Sequence, residues 1–344
     1  MIRSMALALA TVSIVASCTS ADSQPAEIVL LTHDSFAVSD ATLAAFTEET
    51  GVAVRVLRSG DAGTMVNQAI LTADNPIADV LFGVDNTFLS RAVAAGVFSR
   101  YRSPALDTVD VTFHVEGDMV TPIDYGDVCV NYDRAAFDES VIPIPAQLAD
   151  LADPVYAGRF VVQNPATSSP GLAFLLSTIG TFGEGDDYNW KDYWTDLFAN
   201  DVHVTSGWSE AYYTVFSGGS GEGSRPLVVS YASSPPAEVY FGELDESPTG
   251  VIAVGCFRQI EYAGVLAGTK NEAFARKLID FMLSPTFQQD IPLNMFVFPA
   301  NREAALPDVF IAHVTPPIDP IVMEPARIEE NRERWIEEWT ELAR

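Results

Sequence analysis

Positive charge is scarce in this chain. Its 344 residues carry 19 Lys and Arg against 47 Asp and Glu, a formal net charge of −28, and only Lys191, Lys270 and Lys277 are lysines. Neutralising a phosphate backbone needs clustered Lys and Arg, so nucleic acid is excluded as a partner. The acidic surface draws cations only weakly from a distance, because salt screens charge beyond about 8 Å. Solubility in a salty habitat accounts for most of it. Histidine is also rare: His33, His114, His203 and His313 are four in all, and no two stand at metal-ligand spacing. Glu184, Asp186 and Asp187 crowd one loop without the pattern of a Ca²⁺ loop. There is no Gly-x-Ser-x-Gly elbow, no His-Glu-x-x-His, no Walker loop and no Gly-x-Gly-x-x-Gly after a strand. No metal, cofactor or catalytic residue is assigned, and a binding protein is favoured over an enzyme.

Long apolar runs are missing as well. Met5 to Val15 is too short to span a bilayer. It follows Arg3 and leads into Val15-Ala16-Ser17-Cys18, which resembles the bacterial lipoprotein signal. Residues 1–17 are therefore expected to be a lipoprotein signal peptide, with Cys18 the lipidated first residue of the mature chain. The competing reading is an ordinary secretory leader that happens to hold a Cys. The small, polar residues 18–26 read as a tether. The mature protein is expected in the periplasm or on the outer face of the cell membrane, held by its lipid alone. Two cysteines remain, Cys129 and Cys256. In an exported protein one pair allows a single bridge, which is favoured over two buried free thiols; it is expected to tie two crossover strands near a hinge.

What is present suits two α/β domains, since 48% of the residues are hydrophobic. Glu27 to Thr32 reads as a strand. A helix capped by Ser39 or Asp40 runs to Thr50 and ends at Gly51. Val52 to Leu57 is a strand, and Gly63 to Ala73 a helix with Met65, Ala69 and Leu71 on or near one side. Ala78 to Gly83 is a buried strand, and Asn86 caps a further helix ended by Gly96. This βαβαβα order implies a mostly parallel sheet covered on both faces. Strands at Tyr125–Tyr132, Gly158–Gln163, Leu227–Ser230 and Val251–Gln259 follow. Helices are expected at Gly171–Thr178, Trp190–Ala199, Ser209–Phe216, Asn271–Leu283 and from Pro325 onward. Trp190, Trp194, Trp335 and Trp339 fall at helical spacing and read as core. The Gly/Ser-rich stretch Ser217 to Ser224 reads as a flexible surface loop.

Two segments suggest a ligand. Ser206-Gly207-Trp208-Ser209-Glu210-Ala211-Tyr212-Tyr213 gathers an indole, two phenols and a carboxylate at a loop-to-helix junction. Thr167-Ser168-Ser169-Pro170-Gly171 is a Ser-rich helix start whose N–H groups and hydroxyls suit a polar ligand. Together they point to a flat, cationic small molecule, because aromatic faces attract cations by about 0.5–2 kcal/mol each.

From about residue 28 to 342 the chain resembles the thiamine-binding proteins of bacterial ABC importers. The motifs that carry the resemblance are His33-Asp34-Ser35-Phe36-Ala37, Ala78-Asp79-Val80 through Val84-Asp85-Asn86, Ile123-Asp124-Tyr125-Gly126, Thr167-Ser168-Ser169-Pro170-Gly171-Leu172, Gly207-Trp208-Ser209-Glu210-Ala211-Tyr212, Ser230-Tyr231-Ala232-Ser233-Ser234-Pro235 and Phe281-Met282-Leu283-Ser284-Pro285. The resemblance implies a two-lobed periplasmic-binding-protein type II fold with mixed, mostly parallel sheets and ligand in the interlobe cleft, closed by a hinge. Residues 27–124 and 255–312 would form one lobe, and 125–254 with 313–344 the other. It implies a monomer that captures thiamine or its phosphates and delivers it to the membrane subunits of an ABC permease. Trp208 and Tyr231 would stack on the rings, with Tyr212 facing the cleft. Asp34 and Asp85 would accept from the aminopyrimidine or balance the thiazolium charge. Ser168, Ser169 and the N–H groups behind them would hold the hydroxyethyl or phosphate end, and Ser234 would also touch the ligand, while Glu210 would either join them or cap its own helix. His33 stands where the family usually has Tyr, and Phe296 where it has Trp, which weakens the aromatic cage. The alternatives are a ferric-iron receptor using Tyr212, Tyr213 and His33, and an enzyme of the same fold working through Cys129 or Asp34.

Overall fold

The computed structural model describes residues 27–138 and 140–344. The readings for the leader, Cys18 and the tether lie outside the described residues. Strand β1 (Glu27–Thr32), helix α1 (Asp40–Thr50), β2 (Ala53–Arg58), α2 (Ala62–Leu71), β3 (Val80–Asp85) and α3 (Leu89–Ala94) open the fold. Local chemistry sets their ends. The Ser39 hydroxyl accepts from the Thr42 N–H at 3.3 Å at the start of α1, and Gly51 closes that helix in the left-handed region at φ 74. Leu71 does not share the buried side of Met65 and Ala69; as the last residue of α2 it is 86% exposed. Asn86 does not cap α3, which begins without a side-chain cap. Its amide instead meets the Arg258 carbonyl and the Ile260 N–H, each at 3.1 Å, and so ties the end of β3 to a distant strand.

The chain continues through β4 (Thr121–Asp133), β5 (Phe160–Gln163), α4 (Ser169–Phe182), α5 (Trp190–Ala199), β6 (His203–Thr205), β7 (Leu227–Tyr231), α6 (Pro235–Gly242), β8 (Thr249–Val265), α7 (Glu272–Met282), α8 (Pro285–Asn294), β9 (Phe298–Pro299), α9 (Asp308–His313) and α10 (Pro325–Leu342). Ser284-Pro285 both ends α7 and starts α8, because the Ser284 hydroxyl accepts from the Phe287 N–H at 3.4 Å.

The strands form one sheet in the order β2-β1-β3-β8-β4-β7-β5-β6, with β9 beside β4. Its two ends are parallel, as the βαβ pattern implies. Its centre is antiparallel: β4 and β8 pair from Thr121–Ala263 to Asp133–Thr249 and run through both halves. That ladder is interrupted where Val128 faces Phe257 and Val130 faces Ile252, so β8 bulges outward. Gly255 takes φ 76 in the bulge. Cys129 and Cys256 form a disulfide across it, both buried. The Ile318 and Ile321 N–H groups donate to the Ala253 and Cys256 carbonyls at 2.7 Å each and cover the bulged edge.

Trp190, Trp194, Trp335 and Trp339 are all core residues. Trp339 meets Trp194 edge-on at 5.4 Å and so seats α10 on α5. Each buried indole contributes on the order of 5 kcal/mol through the apolar area it removes from water. On its other side α10 sends the buried Arg332 to the Thr87 carbonyl at 3.3 Å and the Ser90 hydroxyl at 3.0 Å, next to α3. Among the described residues, no helix is long and apolar enough to cross a membrane.

Candidate ligand-binding site

A cavity of about 310 Å³ opens where three helices begin. Asp61 and Ala62 lie at the start of α2, Ser169 and Pro170 at the start of α4, and Ser234, Ala237 and Glu238 at the start of α6. His33 and Ser35 follow β1, Glu261 projects from β8, Asn294 ends α8 and Met295 to Val297 follow it. Ligand pockets in α/β folds form at strand ends and helix starts of this kind.

The aromatic wall comes from an irregular turn. The expected helix over Ser209–Phe216 is a π-helix over Glu210–Val215, with the Phe216 N–H reaching the Ala211 carbonyl at 3.0 Å. The wider turn brings Trp208 and Tyr212 into a stack at 5.0 Å and 20°, and Tyr213 meets the indole edge-on at 5.5 Å. The Trp208 Nε1–H donates to the Ser230 hydroxyl at 2.9 Å, and Ser230 and Ser234 share a hydrogen bond of 2.8 Å. Tyr231, at the end of β7, also lines the cavity and pairs with Val128 of β4. A Cβ at Gly126 would stand 2.9 Å from its ring, so glycine is what permits that approach. Its hydroxyl donates to Gln259 at 3.1 Å. The stretch 217–224 is not a loose loop. Its Glu222, Gly223 and Ser224 N–H groups bond the Tyr213, Phe216 and Val215 carbonyls, and Ser220 reaches the cavity.

Carboxylates dominate the polar wall. Glu238 accepts from the Tyr212 hydroxyl at 2.7 Å and from Ser220 at 3.0 Å. Asp61 accepts from the Trp208 N–H at 2.8 Å and the Ala62 N–H at 2.6 Å. Burial raises its pKa, against the pull of these two bonds and of His33. Glu261 lies 3.5 Å from His33 Nε2. Burial works to raise its pKa, but the charge of His33, with Asp124 close by, outweighs that and lowers it. Burial alone would lower the His33 pKa; the charge of Glu261, with those of Asp61 and Asp34, overcomes this and raises it. Asp124, buried behind Glu261, is pushed well above the carboxylate range by burial and by Glu261. Within the trio, Asp124 is pushed toward its neutral form, and Glu261 and His33 toward their charged forms. His33 Nδ1 rests 2.9 Å from Ser35, and its ring fills the space where Gly83 has no side chain: a Cβ there would stand 2.2 Å from His33 Cδ2.

Of the residues expected at the site, His33, Ser169, Trp208, Tyr212, Tyr231, Ser234 and Phe296 line the cavity. Asp34, Asp85 and Ser168 do not. Asp34 faces solvent. Asp85 ends β3 fully buried behind the wall, accepting from Thr87 at 2.7 Å and the Phe88 N–H at 3.2 Å; burial, and then the charge of Glu261, push its pKa to about 7. Ser168 is buried beside Asp61, as Ser169 is beside Asp85. Glu210 turns back to the Ser206 N–H at 3.1 Å, outside the cavity. Sequence reasoning missed Asp61, Glu238 and Glu261. Asp61 carried a usable signal, an acidic N-cap in Asp61-Ala62-Gly63-Thr64; the other two carried none.

The two halves touch over the cavity. The Gly63 and Thr64 N–H groups of α2 donate to the Thr167 carbonyl ahead of α4 at 3.0 and 3.3 Å. At the mouth, Phe241 and Tyr240 of α6 meet Phe296 at 5.3 and 6.5 Å.

Residues 75–313 match the sequence profile of the family described as "Bacterial extracellular solute-binding protein". The thiamine-binding periplasmic protein of Escherichia coli (strain K12) is 29% identical over 316 residues, 91% of this chain and 92% of that protein. Its counterpart in Brucella suis biovar 1 (strain 1330) is 30% identical over 298 residues, 86% of this chain and 84% of that protein. A solved structure of a periplasmic thiamin binding protein superposes with a TM-score of 0.81 at 29% identity, covering 93% of this chain and 97% of that one. The architecture is the type II periplasmic-binding-protein fold. With a family profile matched over most of its length and relatives aligned almost end to end, the chain belongs to the bacterial extracellular solute-binding proteins.

Proposed function

We propose that this protein captures thiamine outside the cytoplasm and delivers it to the membrane subunits of an ABC importer. The observation that carries the reading is the cavity wall itself: the stacked Trp208–Tyr212 pair and Tyr231 beside the carboxylates of Asp61, Glu238 and Glu261. A flat organic cation is met there by aromatic faces and by negative charge together. Relatives that bear the name thiamine-binding periplasmic protein, aligned over about nine-tenths of the chain, support the choice of cation.

In this reading Trp208 and Tyr231 hold the rings, and Asp61 and Glu261 take the roles the sequence suggested for Asp34 and Asp85. Ser169 and Ser234 serve the hydroxyethyl end, and Phe296 closes the mouth. Residues 27–124 with 255–312 and residues 125–254 with 313–344 are the two lobes, and the β4–β8 pair is the hinge. The protein acts as a monomer, exported by its leader and anchored through a lipid on Cys18. A ferric-iron role through Tyr212 is disfavoured: its hydroxyl proton is committed to Glu238 at 2.7 Å, and burial followed by that carboxylate holds its pKa well above the usual tyrosine value.

Calorimetry on leader-free protein, stripped of carried ligand by denaturation and refolding, tests the reading. A thiamine Kd near or below ~1 μM, about −8 kcal/mol, is expected. No binding at millimolar thiamine would overturn it, and visible absorbance on adding ferric citrate would favour iron.

A further inference from the structure

We infer that the glycine-rich stretch from Ser217 to Ser224 is a positioning element of the cavity: through Ser220 and Glu238 it fixes the Tyr212 ring in its stack against Trp208. The inference rests on the thiamine reading above and names what holds the aromatic wall of that site in place.

The wall needs support that its own turn does not supply. The π-helix Glu210–Val215 is only six residues long, so its last carbonyls find no partner within it. The stretch that follows supplies the donors. The Glu222 N–H donates to the Tyr213 carbonyl and the Gly223 N–H to that of Phe216, each at 2.9 Å. The Ser224 and Arg225 N–H groups both donate to the Val215 carbonyl at 3.1 Å. The Ser217 N–H meets the Arg225 carbonyl at 3.0 Å, so the chain leaves and returns at one place, as in an Ω-loop.

The glycines of this loop serve close contact rather than slack. A Cβ at Gly221 would stand 2.3 Å from the Phe216 carbonyl oxygen and 2.9 Å from that of Tyr212. One at Gly223 would stand 2.0 Å from the Val215 oxygen. These neighbours are backbone and cannot swing aside, so only glycine lets the loop lie against the π-turn. Between its two sides the Gly221 N–H turns back to the Gly218 carbonyl at 3.0 Å, with Gly219 at φ 57, and this tight turn carries Ser220. The Ser220 hydroxyl donates to Glu238 Oε1 at 3.0 Å, and the same oxygen accepts the Tyr212 hydroxyl at 2.7 Å. One carboxylate oxygen thus joins the loop to the phenol. The phenol is stacked on Trp208 at 5.0 Å, so the loop sets the placement of the aromatic pair offered to the ligand.

The test is a double-mutant cycle of Ser220→Ala with Tyr212→Phe, read as thiamine Kd by calorimetry on refolded, leader-free protein. Tyr212→Phe keeps the ring and deletes the hydroxyl through which the loop acts. Ser220→Ala is expected to weaken binding about fivefold when Tyr212 is present and less than about twofold in the Tyr212→Phe background. Gly221, which does not line the cavity, gives a second arm: Gly221→Ala should weaken binding by at least as much as Ser220→Ala. Circular dichroism confirms that each variant is folded, and if Gly221→Ala is not, the Ser220 cycle decides alone. Equal costs of Ser220→Ala in the two backgrounds overturn the inference, since Ser220 would then act on the ligand directly or only on the fold. A folded Gly221→Ala protein that binds as wild type does also overturns it. Either result leaves the thiamine reading standing. Wild-type protein that binds no thiamine removes that reading, and the inference with it.

Discussion

Replacing Trp208 by Ala is the sharpest probe of the cavity. The indole presents one face toward Tyr212 at 5.0 Å and anchors through its Nε1–H to Ser230 at 2.9 Å. The backbone N–H of the same residue makes the 2.8 Å bond to Asp61, and that bond survives truncation of the side chain. The substitution therefore removes the aromatic surface while leaving this link between the halves in place. The lost cation–π contact is worth up to ~2 kcal/mol at a desolvated site, so thiamine Kd should rise about 30-fold. Stability should also fall, by about 1–3 kcal/mol, from the lost aromatic pair and hydrogen bond. Trp208→Phe keeps a ring face without the N–H donor and should lose less than tenfold in affinity. Calorimetry gives the two Kd values, and circular dichroism confirms that each variant is folded. A folded Trp208→Ala protein that binds thiamine within threefold of wild type would refute the argument, because no cation could then be resting on that wall.

Asp85→Asn should stabilise the protein at high pH. The folded-state pKa of Asp85 is raised to about 7, so its contribution is full below the unfolded value near 4 and is lost as pH rises toward 7. The variant should gain up to about 4 kcal/mol on wild type between pH 4 and pH 8, read from denaturant unfolding at both; an unchanged difference would sink the assignment. Gly83→Ala puts a Cβ at 2.2 Å from the His33 ring on a backbone with φ 95. It should cost about 2–4 kcal/mol and weaken thiamine binding, and a melting temperature equal to wild type would count against it. Phe241→Ala removes the 5.3 Å contact with Phe296 across the mouth. Stopped flow should show thiamine leaving about fivefold faster with a smaller change in capture rate; a change confined to capture would contradict the role of a closing contact.

Much of the fold was legible because it is written locally. The Ser39 cap and Gly51 stop of α1, the Pro170 start of α4 and the apolar face of α10 are short-range signals, and each reads the same in the structure. The antiparallel centre was not legible, since β8 runs for 17 residues through a bulge at Gly255 that breaks its pattern, and pairing between β4 and β8 spans over a hundred residues. Asn86 misled because a capping residue type served a tertiary contact. Helix α8 was hidden by Pro292 in its interior. At the cavity, aromatic residues in the Trp208 segment stood out by their density. Glu238 and Glu261 did not, because in a chain with 47 acidic residues no single carboxylate is distinctive. Only folding shows which of them converge.

The disulfide across the β8 bulge has a topological consequence. Cys129 and Cys256 are 127 residues apart, and the segment between them holds β5, β6, β7, α4, α5 and α6, with the whole aromatic wall. That half of the protein is a covalent ring, entered and left at one point. A protease that cut the backbone once inside the ring, for example at the glycines near residue 219, would produce no separate fragment. The molecule would keep its mass apart from one added water, stay in one piece under non-reducing conditions, and come apart in two only when the sulfurs are reduced.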